Sequence, residues 1–251
     1  TSPAPGRVQF DMPCNETMNE AANAGGEAPL RPRIVPVEPD RAALKIPLQT
    51  LASARRPILL VGLGIFWDHA SDELVALAER LGAPVLTTSK CKGAIPEDHP
   101  LRAGCIIGGL IERELVMQSD LIITIGLDAI ELQPKPWPYD IPVISFSNTP
   151  SLEAVIPAEF EMVGNLKALL AGLAEFAPEG SGWGEGSAKT FREQVTKALD
   201  VPTQGISPQG AMDVARAVLP RETIATCDAG ASRLLVVQKW QSYGPREFLT
   251  S

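Results

Sequence analysis

The hydrophobic positions between residues 46 and 176 alternate between short apolar runs and stretches with helical spacing. The runs PILLVG (57–62) and LIITIG (121–126) are wholly apolar, which is typical of parallel strands buried on both faces. After the first run, apolar residues recur at i, i+3, i+4 and i+7 from Leu74 to Leu81, which predicts a helix with one buried face. Gly82 is placed to end that helix.

The same alternation continues along this part of the chain. PVLTT (84–88) and PVISFS (142–147) predict further strands, and residues 111–118 predict a helix. A last helix carries leucines at 166, 169, 170 and 173 on one face. Repeated strand–helix units predict an α/β fold, a doubly wound parallel sheet with helices on both faces.

Proline and glycine are concentrated on both sides of this α/β region. Residues 1–28 contain one strand-like stretch, RVQFDM (7–12), and residues 29–45 are predicted to be a linker. Residues 46–176 form the predicted central domain, and the glycine-rich segment 177–187 predicts a second linker. Residues 188–251 predict helices and one strand–turn–helix, too few for an independent core. They are therefore expected to be a partial second α/β domain.

Composition and charge exclude several classes of partner. The net charge is −8 and the pI is about 4.9, which argues against nucleic-acid binding. No apolar run approaches the ~20 residues that span a bilayer, and the first residues do not resemble a signal peptide. We therefore expect a cytoplasmic protein with no membrane partner. The cysteines, which form no CxxC pair, are expected to be reduced thiols rather than zinc ligands; they are Cys14, Cys91, Cys105 and Cys227.

A GxG pair follows the first predicted strand. Gly62 and Gly64 occupy the first two glycine positions of a dinucleotide-binding fingerprint, but Trp67 stands at the third. The pair is therefore compatible with a nucleotide crevice at the carboxyl end of the sheet and equally with a tight structural turn. Both interpretations stay open at this point.

Other candidate groups give weaker signals. Lys90 and Lys92 lie in a loop expected on the rim of the crevice, where they could contact a phosphate. His69 and His99 have no serine or cysteine at a recognisable motif spacing, so a structural or surface role is predicted for both. The carboxylates are scattered, so the sequence predicts neither a metal site nor a catalytic residue.

The turn Asp228–Ser232 follows a predicted strand (223–227) and precedes an apolar helix. Its small residues allow close backbone approach, and the amide groups at the start of a helix attract anions. On spacing alone, an ordinary βα turn is the simpler interpretation.

Taken together, these segments resemble thiamine-diphosphate enzymes of the acetolactate synthase and benzoylformate decarboxylase type, which have three α/β domains. GRVQFDMP (6–13) is similar to the strand that closes the first domain. Four stretches resemble successive landmarks of the central domain: ARRPILLVGLG, LAERLGAPVLTT, KGAIPEDHPLRAG and SDLIITIG. DAGASRLLVVQKW (228–240) resembles the opening of the third, diphosphate-binding domain.

The resemblance implies a cofactor and a division of the chain. It implies thiamine diphosphate with Mg²⁺ in the full-length protein, with the diphosphate met by Asp228, Gly230, Ala231 and Ser232. Residues 1–28 would be the tail of the pyrimidine-binding domain and 188–251 the start of the diphosphate-binding domain. The family's activating glutamate and its GDG metal motif would lie outside residues 1–251, so we expect an inactive fragment of a larger enzyme.

The resemblance also implies a substrate and an assembly, with notable departures. The expected substrate is a 2-oxo acid or related acyl donor, decarboxylated or ligated, and the expected assembly is a homodimer or homotetramer.

Relatives that hold FAD typically have GARxDDR where this chain has GLDAIEL (126–132), and an acidic residue where it has Ser147-Asn148. FAD is therefore not expected. A nucleotide- or coenzyme A-binding module, a purely structural domain and, more distantly, a sirtuin-like NAD enzyme remain alternatives.

Overall fold

A computed structural model describes residues 42–108, 110–132, 137–150, 155–200 and 202–250. The strand-like stretch 7–12, Cys14, the predicted domain tail and most of the first linker lie outside these residues. Within the described ranges, six parallel strands form one sheet in the order β3-β2-β1-β4-β5-β6. They are β1 (Pro57–Val61), β2 (Val85–Thr87), β3 (Arg102–Cys105), β4 (Leu121–Ile125), β5 (Val143–Ser147) and β6 (Phe160–Val163).

This strand order confirms the predicted doubly wound sheet. The register aligns Leu59 of β1 with Val85 of β2 on one side and with Ile123 of β4 on the other. The chain first builds the sheet outward from β1 to β3 and then returns to place β4 on the opposite side of β1. The carboxyl ends of β1 and β4 therefore form the topological switch point, where open α/β sheets bind their ligands.

Helices cover both faces of the sheet, and alternate residues of β1 face two separate cores. Leu59 and Val61 point into the larger core, whereas Ile58 and Leu60 point into the other. Burying each such side chain contributes about 1.5–3 kcal/mol. The helices of this region are α1 (Lys45–Ser53), α2 (Gly64–Trp67), α3 (Ser71–Leu81), α4 (Leu110–Val116) and α5 (Leu166–Phe176).

The apolar periodicity located α3 and α5 correctly. Leu74, Leu77 and Leu81 of α3 are fully buried, and so are the leucines of α5. Gly82 has a φ of +57° and ends α3 as predicted, because the left-handed conformation suits glycine. The sequence did not predict β3 or β6. β3 is only four residues long and contains a charged residue, so it gives no apolar signal.

The chain continues through α6 (Ser187–Leu199), α7 (Pro208–Val218), β7 (Ala225–Cys227), α8 (Ala231–Lys239) and β8 (Phe248–Thr250), with β7 and β8 paired in parallel. Ser207 accepts a hydrogen bond from the Gly210 amide and caps α7. Phe191 of α6 is buried in the second core, and Trp183 donates its indole N–H to the Pro57 carbonyl over 2.7 Å. The division into domains stays a prediction.

Large apolar side chains are exposed along this C-terminal part. Val218 is 75% exposed and Ile206 is 83% exposed. The other large hydrophobic residues exposed in this part of the chain are Val214, Leu219, Ile224, Leu234 and Leu249. In the described part of the chain, no helix combines the length and the hydropathy needed to cross a bilayer.

Candidate functional site

The two glycines of the GxG pair lie at the carboxyl end of β1, beside the end of β4. Gly62 donates its amide hydrogen to the Ile125 carbonyl and Gly64 donates to the Gly126 carbonyl, both over 2.9 Å. A Cβ on Gly62 would lie 2.5 Å from the Leu127 Cα, and a Cβ on Gly64 would lie 2.7 Å from the Gly126 Cα. The glycines therefore let two strand-end turns pack together, and their part in binding a nucleotide stays a prediction.

A carboxylate fills the space at this switch point. Glu131 accepts hydrogen bonds from three donors, each placed after a different strand. The Leu63 amide, after β1, donates to both carboxylate oxygens at 3.0 and 3.1 Å. The Thr88 hydroxyl, after β2, donates over 2.5 Å, and the Asp128 amide, after β4, donates over 3.1 Å. We call these three donors, from Leu63, Thr88 and Asp128, the strand-end cradle.

Local sequence explains how Glu131 reaches the cradle. It lies in a single 3₁₀ turn, Ala129–Leu132, that follows β4. Asp128 accepts from the Ile130 amide over 3.1 Å, while Glu131 accepts from the Asp128 amide. The pattern resembles a capping box, except that the Asp128 side chain accepts from the amide two residues on rather than three. The spacing Asp-x-x-Glu was visible in the sequence and could have identified Glu131, which the sequence analysis did not single out.

Burial governs the protonation of the groups around the cradle. It raises the pKa of Glu131, and the hydrogen bonds from Thr88, Leu63 and Asp128 oppose that rise. Burial, together with the charge of Glu131, also raises the pKa of the Cys91 thiol well above its usual range. Cys91 is therefore a neutral buried thiol that donates to the Val61 carbonyl over 2.9 Å, in line with the predicted reduced state.

The raised pKa of Glu131 predicts a pH-dependent stability. The folded chain binds the Glu131 proton more tightly than the unfolded chain does, so this contribution to stability is present at low pH. It is lost as pH rises from the ordinary value of 4.5 through the raised pKa. Because glutamine does not titrate, the free energy of unfolding of the wild type should fall relative to that of Glu131→Gln over this range. Urea titrations between about pH 4 and 7 measure this, and a constant difference would contradict it.

Ser147 and Asn148, the pair expected to disfavour FAD, lie at the end of β5. The side chain of Asn148 is buried and donates to the Gly64 carbonyl over 3.4 Å. Ser147, at the end of β5, donates to a Glu161 carboxylate oxygen over 3.3 Å. Both polar groups are therefore engaged within the fold: Asn148 links the end of β5 to the residues after β1, and Ser147 links it to β6.

Lys92 is not on the rim of the crevice, so the sequence-based expectation for it was wrong. Its side chain is 0% exposed, and its ammonium group lies 2.5 Å from a Glu97 carboxylate oxygen. Arg102 contacts the other carboxylate oxygen of Glu97 at 2.8 Å. A lysine enters a core when a buried carboxylate compensates its charge, and Glu97 does so here. Lys90, in contrast, is half-buried.

This buried ionic cluster of Lys92, Glu97 and Arg102 also contacts the C-terminal part of the chain. The Glu97 amide donates to the Ser242 carbonyl over 3.2 Å. The Lys92 ammonium lies 5.9 Å from the centre of the Phe248 ring. The cluster therefore lies between the edge of the main sheet and the segment that contains β7, α8 and β8.

The two histidines do not converge on a common site. His99 accepts from the Leu101 amide over 3.2 Å and lies 3.2 Å from a Glu79 carboxylate oxygen, which is a structural role. His69 is exposed and lines an open pocket of about 240 Å³ together with Asp72 and Arg246. Among the described residues, no three His, Cys, Asp or Glu side chains are grouped to hold a metal ion.

The turn Asp228–Ser232 leads from β7 into α8. Its residues 228–230 are exposed, and Gly230 precedes α8 with a φ of +139°, in a region that favours glycine. A Cβ on Gly230 would meet only the Ser232 hydroxyl, at 3.9 Å, so the backbone here is open to a ligand. Asp228 accepts from the Ala229 amide over 2.7 Å and so shapes the turn. Binding of a diphosphate here stays a prediction.

Comparison with known proteins identifies the family. Residues 44–173, just over half of the chain, match the family model described as "Thiamine pyrophosphate enzyme, central domain". A probable acetolactate synthase large subunit from Methanococcus aeolicus is 26% identical over 98% of this chain and 46% of its own length. The chain thus spans about half the length of the curated relatives that match it throughout.

Two further relatives match shorter stretches. A probable 2-ketoarginine decarboxylase from Pseudomonas aeruginosa is 39% identical over 36% of this chain and 16% of its own length. A sulfoacetaldehyde acetyltransferase from Rhodobacter capsulatus is 40% identical over 35% of this chain and 15% of its own length. The six-stranded parallel sheet is consistent with this family match. The chain therefore belongs to the thiamine pyrophosphate enzyme family, and residues 44–173 correspond to the family's central domain.

Proposed function

We propose that this chain is part of a thiamine-diphosphate-dependent enzyme that decarboxylates or ligates a 2-oxo acid or a related acyl donor. The observation that carries the proposal is the central-domain match over residues 44–173, followed by an open strand–turn–helix at 228–232. The relatives' names include a synthase, a decarboxylase and an acetyltransferase. This variety of reactions among the relatives supports a shared cofactor and does not single out one substrate.

The turn before α8 suits a diphosphate by its donors and its openness. We propose that the amides of Gly230, Ala231 and Ser232, with the Ser232 hydroxyl, hold the diphosphate. The first amides of a helix have no acceptor within the helix and lie at its positive end. The carboxylate of Asp228 has the wrong charge for direct contact, so we assign it to shaping the turn through the Ala229 amide. When bound, thiamine diphosphate supplies stabilisation of an acyl carbanion.

The exposed apolar side chains support the proposed domain division. Seven large hydrophobic residues between 206 and 249 remain accessible, whereas the leucines of α3 and α5 are buried. Large exposed apolar areas on a soluble protein mark sites that another element or partner covers. We propose that residues 188–251 begin a diphosphate-binding domain whose other elements cover these side chains. A metal ion for the diphosphate and a dimeric or tetrameric assembly belong to the same proposal.

Introducing a negative charge at the turn tests the proposed contact with the cofactor. In the protein expressed from its complete reading frame, Ser232→Asp places a carboxylate beside the diphosphate. We expect it to weaken thiamine diphosphate binding by about tenfold or more, which is about 1.4 kcal/mol or more. Isothermal calorimetry with thiamine diphosphate and Mg²⁺ measures the change.

The matched control is Ser207→Asp. It adds the same charge at the start of α7, where aspartate caps a helix as well as serine does. We expect this control to bind thiamine diphosphate as the wild type does. Equal affinity of Ser232→Asp and Ser207→Asp would contradict the assignment of the diphosphate to the turn before α8.

A further inference from the structure

The strand-end cradle has the composition of an anion-binding site. Its donors are two backbone amides, from Leu63 and Asp128, and one hydroxyl, from Thr88, and all three point at the same carboxylate. The donors follow β1, β2 and β4, so they converge at the topological switch point of the sheet. Ligands of open α/β sheets bind at this point, and the phosphate of a nucleotide needs donors of this kind.

The anion at this position is supplied by the chain itself. Glu131 takes up hydrogen bonds from all three donors. The neighbouring amides of Gly62 and Gly64 donate to the carbonyl groups of Ile125, the last residue of β4, and Gly126. A phosphate entering the crevice would therefore have to displace the carboxylate, and it would be repelled by its charge.

We propose that Glu131 is a built-in anion that occupies the phosphate position of the crevice and excludes nucleotides and other phosphate-bearing ligands from it. Glu131 is thus the residue that determines the ligand specificity of the central domain. The inference concerns the crevice alone and does not depend on where thiamine diphosphate binds. Glu131 is only partly buried, so we expect truncation of its side chain to open the two amides and the fully buried Thr88 to solvent.

If Glu131 excludes phosphate-bearing ligands, then truncating its side chain should allow such a ligand to bind, and its affinity can be measured. ADP is a suitable probe because it is the part that FAD and NAD have in common. We expect Glu131→Ala to bind ADP at least tenfold more tightly than the wild type in calorimetric titrations. Glu131→Gln removes the charge and keeps most of the volume, so its affinity for ADP should lie between the two. Glu114→Ala, at an exposed position of α4, changes the net charge equally and should match the wild type.

Circular dichroism establishes which variants are folded before titration. If Glu131→Ala does not fold, the comparison of Glu131→Gln with the wild type decides the matter, because both have a side chain of the same length. Tighter binding of ADP by the folded Glu131 variants than by Glu114→Ala supports the proposal. It is overturned if the wild type binds ADP as tightly as the folded Glu131 variants do, or if those variants titrate flat.

Discussion

Replacement of Glu97 by alanine is expected to lower the free energy of unfolding by about 3–5 kcal/mol. The side chain of Glu97 is 5% exposed and lies between two cations, Lys92 at 0% and Arg102 at 7% exposure. Removing the carboxylate leaves both cations buried without a counter-charge, which is far costlier than losing a surface ion pair. Urea unfolding monitored by circular dichroism measures the loss.

The matched control removes a carboxylate from an exposed ion pair. Glu179 pairs with Arg80, and its side chain is 76% exposed. Exposed pairs of this kind contribute about 0–1 kcal/mol, so Glu179→Ala should be nearly neutral. An apolar triple variant, Lys92→Met with Glu97→Leu and Arg102→Met, should recover much of the stability lost in Glu97→Ala. Similar losses in Glu97→Ala and Glu179→Ala would show that the buried ionic cluster does not act as described.

Replacement of Gly93 by alanine should destabilise the chain by about 2–5 kcal/mol, through left-handed strain and overpacking. Gly93 has a φ of +83°, and a Cβ there would overlap the Gly244 carbonyl oxygen and lie 2.9 Å from its carbonyl carbon. The loop around Gly244 would have to move away from the central domain. We therefore expect faster hydrogen exchange in residues 240–250 as well as a lower urea midpoint.

Gly205 provides a control that separates the cost of the left-handed backbone from the cost of steric overlap. It has a φ of +86°, close to that of Gly93, but a Cβ there would have no neighbour within 4 Å. Gly205→Ala should therefore cost only the left-handed strain, about 1–2 kcal/mol, and should leave exchange in residues 240–250 unchanged. If the two alanine variants were equally stable, the close contact between Gly93 and Gly244 would not exist in solution.

Glu97 and Gly93 connect the central domain to the segment that follows α8, the helix that begins at the proposed cofactor turn. The Glu97 amide contacts the Ser242 carbonyl, and Gly93 packs against Gly244, both in the segment between α8 and β8. α8 begins directly after the turn at 228–230. The buried ionic cluster and the glycine contact therefore hold the segment after α8 against the main sheet, and the turn lies at the other end of that helix.

Much of the sheet could be predicted from the sequence because its central strands are continuous apolar runs. β1 and β4 are buried on both faces, and this burial requires apolar residues at every position. β3 escaped prediction because Arg102 lies within it, and only Glu97, five residues earlier, makes that burial acceptable. Patterns of hydrophobicity do not reveal which charges pair in three dimensions.

The two candidate sites could be predicted from the sequence to different degrees, because one is local in the chain and the other joins distant residues. The turn before α8 is a local feature, so its small residues were visible in the sequence. The cradle depends on groups from three strand ends, and the chain separates Leu63 from Glu131 by 68 positions. The sequence did show that this stretch, GLDAIEL, departs from the pattern of FAD-holding relatives. It did not show that the Glu131 carboxylate of this stretch accepts hydrogen bonds from the strand-end cradle.

A crystal structure of Glu131→Ala grown with inorganic pyrophosphate would show whether the strand-end cradle binds a phosphoryl group once the carboxylate is removed. We expect a phosphoryl group about 3 Å from the Leu63 amide, the Thr88 hydroxyl and the Asp128 amide, in the place of the missing carboxylate. Pyrophosphate absent from the crevice, with these three donors turned to water or to other groups of the chain, would contradict it.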